Sequence, residues 1–315
     1  MNSGGLPAAD VEITIELVTA LLQEQHPDLA DLPIRELANG WDNVLYRLGD
    51  EFTVRLPRRV EAAELVGNEI RWLPELAPRL PLAIPSPVRT GQPTSDYPYA
   101  WTVLPWFDGE TVGTSTFQAP EREARRLGHF LSRLHRPAPA DAPVNPHRGT
   151  PLATRDRLTV DRLASLDRSD SAAILAIWAD AVAANPWNGP PLWVHGDLHA
   201  LNIIKDNDAL AAILDFGDIC SGDPATDLMV AWYLFTQDER EVLRASADSQ
   251  NRPIDDDMWR RGRGWAVTHA LALLVHAADA PALGAIAEKC IAAAIEDLMI
   301  EDLAIEDPAI GQDPD

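Results

Sequence analysis

The run VHGDLHALNII, residues 194–204, places two histidines, an aspartate and an asparagine inside an otherwise apolar segment. Asp197 and Asn202 lie five residues apart on the turn after a predicted strand, and Asp215 ends the next predicted strand, in ILDFGD. The amide and carboxylate oxygens of Asn202 and Asp215 suit Mg²⁺, which prefers hard oxygen ligands. A separate carboxylate, Asp197, suits the orientation of a hydroxyl and the acceptance of its proton during phosphoryl transfer. Two adjacent strands that end in one cleft would bring these three side chains together.

Other chemistries fit the same segment less well. His195 and His199 have the spacing of a zinc pair, but they lie on a strand-to-turn segment that does not offer the i, i+4 geometry of a helix. A hydrolase nucleophile elbow needs G-x-S-x-G, and no such run occurs here. A simple Asx turn also produces Asp-x₄-Asn, so it is the short distance to LDFGD that favours a kinase-like site.

The elements that must position these residues divide into a β-rich first part and a helical second part. We place the boundary at residue 107, which gives an N-terminal lobe of residues 1–107 and a C-terminal lobe of residues 108–315 with an acidic tail at about 305–315. Periodicity and turn signals predict a helix at 10–25, two strands around a turn at Gly49-Asp50, a helix at 61–73 that ends at Pro74, a strand at 100–104, helices at 121–134 and within 153–185, a strand at 211–216, and helices at 224–236, 238–248, 255–277 and 281–304.

The composition narrows the class of protein. A chain of 315 residues with 46% hydrophobic content can hold a real core in one large domain or two modest ones. Its 49 acidic and 26 basic residues give a net charge of −23, which disfavours nucleic acid and anionic membranes as partners and favours cationic small molecules, although it also serves solubility. The sequence shows no membrane span and no secretory signal, and its two cysteines favour a reducing, cytoplasmic location.

The motif HGDLHALN, followed by ILDFGDICSGDPATDL, resembles the aminoglycoside phosphotransferase family over about residues 35–275. The resemblance implies an α+β, protein-kinase-like two-lobe fold, with a small β-rich N-lobe built on an antiparallel sheet and a larger, mostly helical C-lobe. It implies that Asp197 is the catalytic base and that Asn202 and Asp215 are Mg²⁺ ligands. His195 then braces the loop, and Asp227 is a buried acid that hydrogen-bonds it.

Two further polar residues of these motifs keep alternative interpretations. His199 either supports the loop by packing or contacts the substrate. Asp218 is either a second group that faces the metal or the cap of a turn.

The resemblance also implies a nucleotide site in the N-lobe. Where the family commonly has a lysine on the third strand, FTVRLP carries Arg55, which keeps the positive charge and can bind phosphate through two hydrogen bonds. Both lysines of this lysine-poor chain lie beyond residue 200, so the replacement is expected. Glu69 and Glu64 point about 140° apart on one predicted helix, so only one of them can face Arg55. Glu69 is the expected partner, because it precedes the apolar cluster at residues 70–73, and Glu64 is the alternative.

The segment NGWDN, residues 39–43, is expected to cover the phosphates, with Gly40 and Asn43 among the nucleotide-binding residues. Asp42 is unfavourable beside phosphates, so we expect it to face solvent or to cap the turn. The nucleotide base is expected at the lobe junction, VLPWFDG, where the Pro105 carbonyl and the Phe107 amide would form hydrogen bonds.

The acceptor is the part of the function that the sequence defines least. The acidic run at residues 255–257 either complements a helix N-terminus or attracts the ammonium groups of an aminoglycoside. The resemblance implies a small-molecule O-phosphotransferase that uses Mg²⁺ and moves the γ-phosphate of ATP or GTP to a hydroxyl of a small, cationic acceptor, an antibiotic such as an aminoglycoside. The alternatives are a macrolide kinase, a metabolic kinase acting on an amino alcohol, sugar or homoserine-like acceptor, and a nucleotide-binding protein without transfer activity.

Overall fold

The protein is described by a computed structural model that covers residues 8–40, 42–248 and 253–306, with side chains through residue 300. It divides into two compact units. The first unit contains the chain through Gly109 together with Ala211–Ile219, and the second contains Glu110–Leu210 and the chain from Cys220 onward. The sequence had placed the boundary at residue 107 and had assigned residues 211–219 to the C-terminal lobe. Most of the predicted acidic tail, residues 307–315, lies outside the described residues.

A five-stranded antiparallel sheet forms the framework of the first unit. The hairpin between its second and third strands turns at Gly49, whose φ of 56° favours glycine. Buried Tyr46, Val54 and Trp101 form part of the core beneath the sheet. The strands are β1 (Ile34–Asn39), β2 (Asn43–Leu48), β3 (Phe52–Pro57), β4 (Arg89–Gly91) and β5 (Trp101–Pro105), in the spatial order β1-β2-β3-β5-β4.

Two helices pack within this unit, and both differ from the prediction. Helix α1, Ile15–Gln25, begins after Thr14, whose hydroxyl accepts the Leu17 N–H, so the residues from 10 to 14 are not helical. Helix α2, Val60–Leu76, does not end at Pro74 but continues through it. Proline removes one hydrogen bond near the end of the helix, and the burial of Trp72, Leu73 and Leu76 on either side of it favours the continued turn.

The second unit is mostly helical and is organised around one buried helix, α9. Gly262 and Gly264 allow neighbouring helices to approach α9 closely, because a Cβ atom there would lie 2.8 Å from Leu228 and 2.5 Å from Ala181. The helices are α3 (Pro120–Leu134), α4 (Asp156–Ser165), α5 (Ser171–Ala183), α6 (Ala225–Leu228), α7 (Val230–Leu234), α8 (Gln237–Ala247), α9 (Asp256–Leu274) and α10 (Pro281–Glu306). None of the helices in the described residues is long and apolar enough to cross a membrane.

Short strands join these helices and carry the conspicuous motifs. They are β6 (Glu110–Thr111), β7 (Leu192–Val194), β8 (Ile203–Asp206), β9 (Ala209–Ile213) and β10 (Cys220–Gly222). Strand β7, before Asp197, pairs with β10, and β9, before Asp215, is not its neighbour, so the expectation of two adjacent strands was wrong. Because β7 has only three residues and the next twelve positions are loop, turn and β8, the chain order of the strands does not set their pairing.

Candidate active site

A buried carboxylate shapes the loop that follows β7. Asp227, in α6, accepts hydrogen bonds from the backbone N–H groups of His195 and Gly196 at 2.8 and 2.9 Å, and its Oδ2 lies 3.0 Å from His135 Nε2. Gly196 adopts a φ of 90°, which an L side chain rarely allows. His195 is also buried, and its Nδ1 accepts the Asp197 N–H at 3.2 Å. The loop is therefore held from inside the second unit, as the resemblance implied for His195 and Asp227.

Four side chains surround the Asp197 carboxylate. Its Oδ1 lies 2.8 Å from His269 Nε2 and 3.0 Å from Arg148 Nη2. Its Oδ2 lies 3.3 Å from Asn202 Nδ2 and 3.5 Å from His199 Nε2. Burial opposes ionisation, but hydrogen bonds from His199 and His269 hold the pKa of Asp197 well below its ordinary value. The result is an ionised, oriented carboxylate whose side chain remains 24% exposed.

Behind Asp197 a chain of hydrogen bonds runs into the core. Tyr233 Oη lies 2.7 Å from His269 Nδ1, on the far side of the imidazole from Asp197. Burial lowers the pKa of His269 to about 4, so the ring is neutral near pH 7. With Asp197 ionised, the ring proton belongs on Nε2 and the Tyr233 hydroxyl donates to Nδ1. These hydrogen bonds therefore fix both the position and the tautomer of the His269 ring, which supports Asp197.

Sequence reasoning did not identify Arg148, Tyr233 or His269 as part of the site. His269 is a single ionisable residue in the otherwise apolar stretch AVTHALALL, which is a weak signal for a buried polar role. Arg148 and Tyr233 carried no comparable signal, because neither belongs to the paired motifs.

The same residues have the spacing of a metal site, and the hydrogen bonds argue against one. One ligand atom each from Asp197, His199 and His269 lies within 4.8 Å of the others. However, His199 Nδ1 accepts the Leu201 N–H at 3.2 Å, so the proton of the neutral ring is on Nε2, the nitrogen nearest Asp197. That nitrogen is then a donor and has no lone pair for a metal. His199 supports the loop and the base.

The two predicted Mg²⁺ ligands offer suitable oxygen atoms. Asn202 Nδ2 donates to the Asp197 carbonyl at 2.9 Å, which turns the amide oxygen of Asn202 away from Asp197. Asp215 follows β9 in a left-handed conformation, with a φ of 57°, and its side chain is 56% exposed. An amide oxygen and an accessible carboxylate match the ligands that Mg²⁺ prefers. Asn202 lies in the second unit and Asp215 in the first, and their meeting at one cation stays a prediction.

In the first unit a buried arginine is fixed by acidic and amide groups. Arg55, on β3, is 7% exposed, and its Nη1 lies 2.7 Å from both carboxylate oxygens of Glu69, on α2. Glu64, the alternative partner, is exposed. With the Asn43 amide oriented so that its oxygen faces Arg55, that oxygen accepts from Arg55 Nη2 and Nε at 3.0 and 3.1 Å. Burial disfavours the charge on Arg55, but the nearby Glu69 and Asp215 carboxylates raise its pKa. The guanidinium is therefore a permanent, oriented cation.

The loop between β1 and β2 is closed by hydrogen bonds to both backbone groups of Gly40. The Gly40 N–H donates to the Asn43 carbonyl at 2.9 Å, and the Gly40 carbonyl accepts from Arg58 Nη1 at 2.8 Å. The Asp42 carboxylate, expected to be unfavourable here, forms an ion pair with Arg59. Its charge is thereby offset locally. The remaining residue of the predicted loop, Trp41, lies outside the described residues.

The segment predicted to bind the base ends β5. Pro105 is paired with Phe52 of β3, and Phe107 is half-buried. The Trp106 N–H donates to the Glu51 carbonyl at 2.7 Å, and the Arg47 guanidinium lies 3.7 Å from the centre of the Trp106 ring. These contacts fix the segment within the first unit, while the roles of Pro105 and Phe107 in base binding stay predictions.

Solved structures with a similar fold include phosphotransferases. The GDP complex of an aminoglycoside 2'-phosphotransferase-IIIa matches with a TM-score of 0.66 and 17% identity over 90% of this chain and 100% of that chain. The streptomycin–ATP ternary complex of APH(2")-IIa matches with a TM-score of 0.58 and 19% identity over 91% and 98%. The macrolide 2'-phosphotransferase MphH from Brachybacterium faecium matches with a TM-score of 0.61 and 22% identity over 88% and 98%. At these identities the likeness shows the fold, and it confirms the predicted α+β, kinase-like class.

A comparison with protein-family models identifies the family of the chain. The model described as the phosphotransferase enzyme family matches residues 33–265, which is more than half of the chain. This stretch contains both paired motifs, and the match confirms the enzyme class expected from them. The chain belongs to the phosphotransferase enzyme family.

Proposed function

We propose that this protein transfers the γ-phosphate of ATP or GTP to a hydroxyl group of a small molecule. The observation that carries the proposal is the Asp197 carboxylate, which is ionised, oriented by four side chains and still partly exposed. Such a group can orient an acceptor hydroxyl and take its proton. The hydroxyl oxygen forms a bond to the γ-phosphorus, the bond from phosphorus to the bridging oxygen breaks, and the nucleoside diphosphate leaves with that electron pair.

The nucleotide is assigned to residues of the first unit. Arg55, held by Glu69, supplies a fixed positive charge for the phosphates, in the place where a lysine is common. Gly40 and Asn43 shape the loop expected to cover them, and the Pro105 carbonyl and Phe107 amide are assigned to the base. The GDP and ATP complexes of the solved relatives support a nucleoside triphosphate as co-substrate.

Mg²⁺ is assigned to the amide oxygen of Asn202 and the carboxylate of Asp215. When bound, it neutralises charge on the phosphate oxygens during transfer. The Asn202 amide group is fixed for this by its donation to Asp197. A reaction that consumes ATP or GTP also agrees with the cytoplasmic location expected from the cysteine content.

The acceptor follows less directly from the site. The sequence predicted an aminoglycoside, and the names of the solved relatives include aminoglycoside and macrolide phosphotransferases. The carboxylates expected to attract ammonium groups, however, already have partners. Asp255 caps α9 by accepting the Met258 N–H, Asp256 pairs with Arg244, and Asp257 pairs with Arg260 and Asn185, a set that favours the helix-capping interpretation.

The test is Mg²⁺-dependent release of nucleoside diphosphate by the full-length protein, with ATP and with GTP. Release should disappear in Asp197→Ala and persist in Asp161→Ala, a matched change at an exposed aspartate of α4. Nucleotide binding without any Mg²⁺-dependent turnover would contradict the proposal and would support the alternative of a binding protein. Expression in a susceptible host exposed to aminoglycosides and macrolides then tests the antibiotic acceptors.

A further inference from the structure

Arg148, beside the proposed base, has two further arginines near it, in a protein with a net charge of −23. Arg148 Nη2 is 3.0 Å from Asp197 Oδ1. Arg155 and Arg162 have lowered pKa values, because burial disfavours their charge and because Arg148 repels both of them. Arg155 also repels Arg162. We call Arg148, Arg155 and Arg162 the arginine cluster.

Two of the three arginines, Arg155 and Arg162, lie on one face of helix α4, and that face contacts α9. Arg155 occupies the N-cap position of α4, and Arg162 follows seven residues later, about two turns along the same face. Thr159 lies between them on that face and is buried, with its Oγ1 2.5 Å from Thr268 Oγ1 on α9. Thr268 directly precedes His269, which contacts Asp197. This face of α4 therefore packs against α9 at the residue that precedes His269.

The described residues provide no carboxylate for either Arg155 or Arg162. The contact of Arg155 is with His147 Nδ1, at 3.2 Å, and its buried Nε has no hydrogen-bond partner in this part of the chain. The two acidic residues of α4 contact other side chains than these arginines: Asp156 accepts a hydrogen bond from Trp178 Nε1, and Asp161 pairs with Arg157.

This arrangement is unfavourable without a ligand. Acidic residues outnumber basic ones by 49 to 26, so the sequence contains enough carboxylates to pair with every arginine. Instead, half-buried guanidinium groups repel one another beside the base. An anion would relieve this repulsion, and a guanidinium binds carboxylate or phosphate oxygens through two parallel hydrogen bonds. An aminoglycoside, which is a polycation, would increase the repulsion.

We infer that the acceptor carries an anionic oxygen group, either a carboxylate or a phosphate monoester, that is bound by Arg155 and Arg162 while the acceptor hydroxyl lies at Asp197. This inference rests on the proposed function and names the acceptor class of the same site. The group transfer is the one already described, and the anionic group takes no part in bond making. Its binding fixes the distance between the acceptor and the base.

The first experiment compares three acceptors that share a three-carbon skeleton with one aminoglycoside. Full-length protein with Mg²⁺ and ATP or GTP is given glycerate, glycerol phosphate, glycerol or kanamycin, and nucleoside diphosphate release is measured. Acceleration by glycerate or glycerol phosphate, but not by glycerol or kanamycin, supports the inference, and the two active arms separate a carboxylate from a phosphate. Transfer to kanamycin with unchanged kinetics in Arg155→Gln and Arg162→Gln overturns the inference and leaves the proposed function intact.

The variants separate binding of the acceptor from binding of the nucleotide. In Arg155→Gln and Arg162→Gln, the KM for the anionic acceptor should rise by about tenfold or more, because each change removes a charge-assisted hydrogen bond. The KM for the nucleotide should not change. Arg157→Gln is the matched control, since this arginine of the same helix has a side chain that is 96% exposed and pairs with Asp161. A rise in the nucleotide KM alone would assign the cluster to the triphosphate and overturn the inference.

A binding measurement keeps the inference testable if no member of the panel is phosphorylated. Calorimetric titration with malonate and with inorganic phosphate, at saturating Mg²⁺ and a non-hydrolysable ATP analogue, should show binding that weakens about tenfold or more in Arg155→Gln and Arg162→Gln. Arg157→Gln should bind as the unmodified protein does. Equal binding by all variants, or no binding, overturns the inference. Arginine-dependent binding without any Mg²⁺-dependent turnover would support the anion site and refute the proposed function.

Discussion

The surroundings of Arg55 and of Asp197 stabilise charges of opposite sign. In the first unit the central charge is a cation, 7% exposed, that is fixed by the Glu69 carboxylate. In the second unit the central charge is an anion, 24% exposed at its side chain, that is fixed by four donor groups. The cation keeps its charge at any ordinary pH, whereas the carboxylate can accept a proton. The first arrangement suits the binding of phosphates, and the second suits chemistry at a hydroxyl.

The two regions also distribute their interactions differently. Arg55 depends mainly on Glu69, so the loss of that partner leaves a buried charge whose remaining carboxylate neighbour is Asp215, at 3.6 Å. The donors to Asp197 come from three segments, and the loss of one of them leaves the others in place. We therefore expect changes around Arg55 to affect stability and nucleotide affinity, and changes around Asp197 to affect kcat.

The largest effect is expected from Asp197→Asn. Asparagine has nearly the same shape but cannot accept the hydroxyl proton, so kcat for the acceptor should fall by about 10²- to 10⁴-fold while the protein stays folded at the assay temperature. Steady-state kinetics and a melting curve measure the two quantities. A variant that keeps most of its kcat would show that Asp197 is not the base.

Replacing Glu69 by alanine tests the buried ion pair of the first unit. Arg55 would keep its charge without its main partner, so the free energy of unfolding should fall by about 3–5 kcal/mol, as measured in urea. Glu64→Ala, at an exposed position of the same helix, is the control and should change it little. Equal effects of the two changes would contradict the distinction between the regions.

His269→Gln should have a smaller effect, confined to the chemistry. The loss of an oriented donor to the Asp197 carboxylate should lower kcat by about tenfold or more, while the KM for the nucleotide stays the same. His276→Gln, at an exposed histidine just beyond α9, should leave both values unchanged. A raised nucleotide KM with normal kcat would show that His269 does not act through Asp197.

The smallest effect is expected from Tyr233→Phe. The ring remains packed, but His269 Nδ1 loses its 2.7 Å contact with the hydroxyl and the preference for the Nε2–H tautomer weakens. We expect a decrease in kcat of a few-fold, corresponding to about 0.5–1.5 kcal/mol. Combined with His269→Gln, the second change should add little, since both act through one chain of contacts. Fully additive effects would indicate separate roles.

The sequence determined the parts of this protein that depend on short-range chemistry. The paired motifs around Asp197 and Asp215 predicted the enzyme class, and the family match confirms it. Helical periodicity allowed only one of Glu69 and Glu64 to face Arg55, and the apolar residues at 70–73 favoured Glu69, which is the residue that contacts Arg55.

The tertiary structure decided which distant segments meet. It paired β7 with β10, placed residues 211–219 in the first unit and continued α2 through Pro74. It also brought Arg148, Tyr233 and His269 to Asp197 and Arg155 to the same region. These contacts join residues far apart in the chain, and they depend on how α4, α7 and α9 pack. Periodicity and turn preferences describe only neighbouring residues, so they carry no information about such packing.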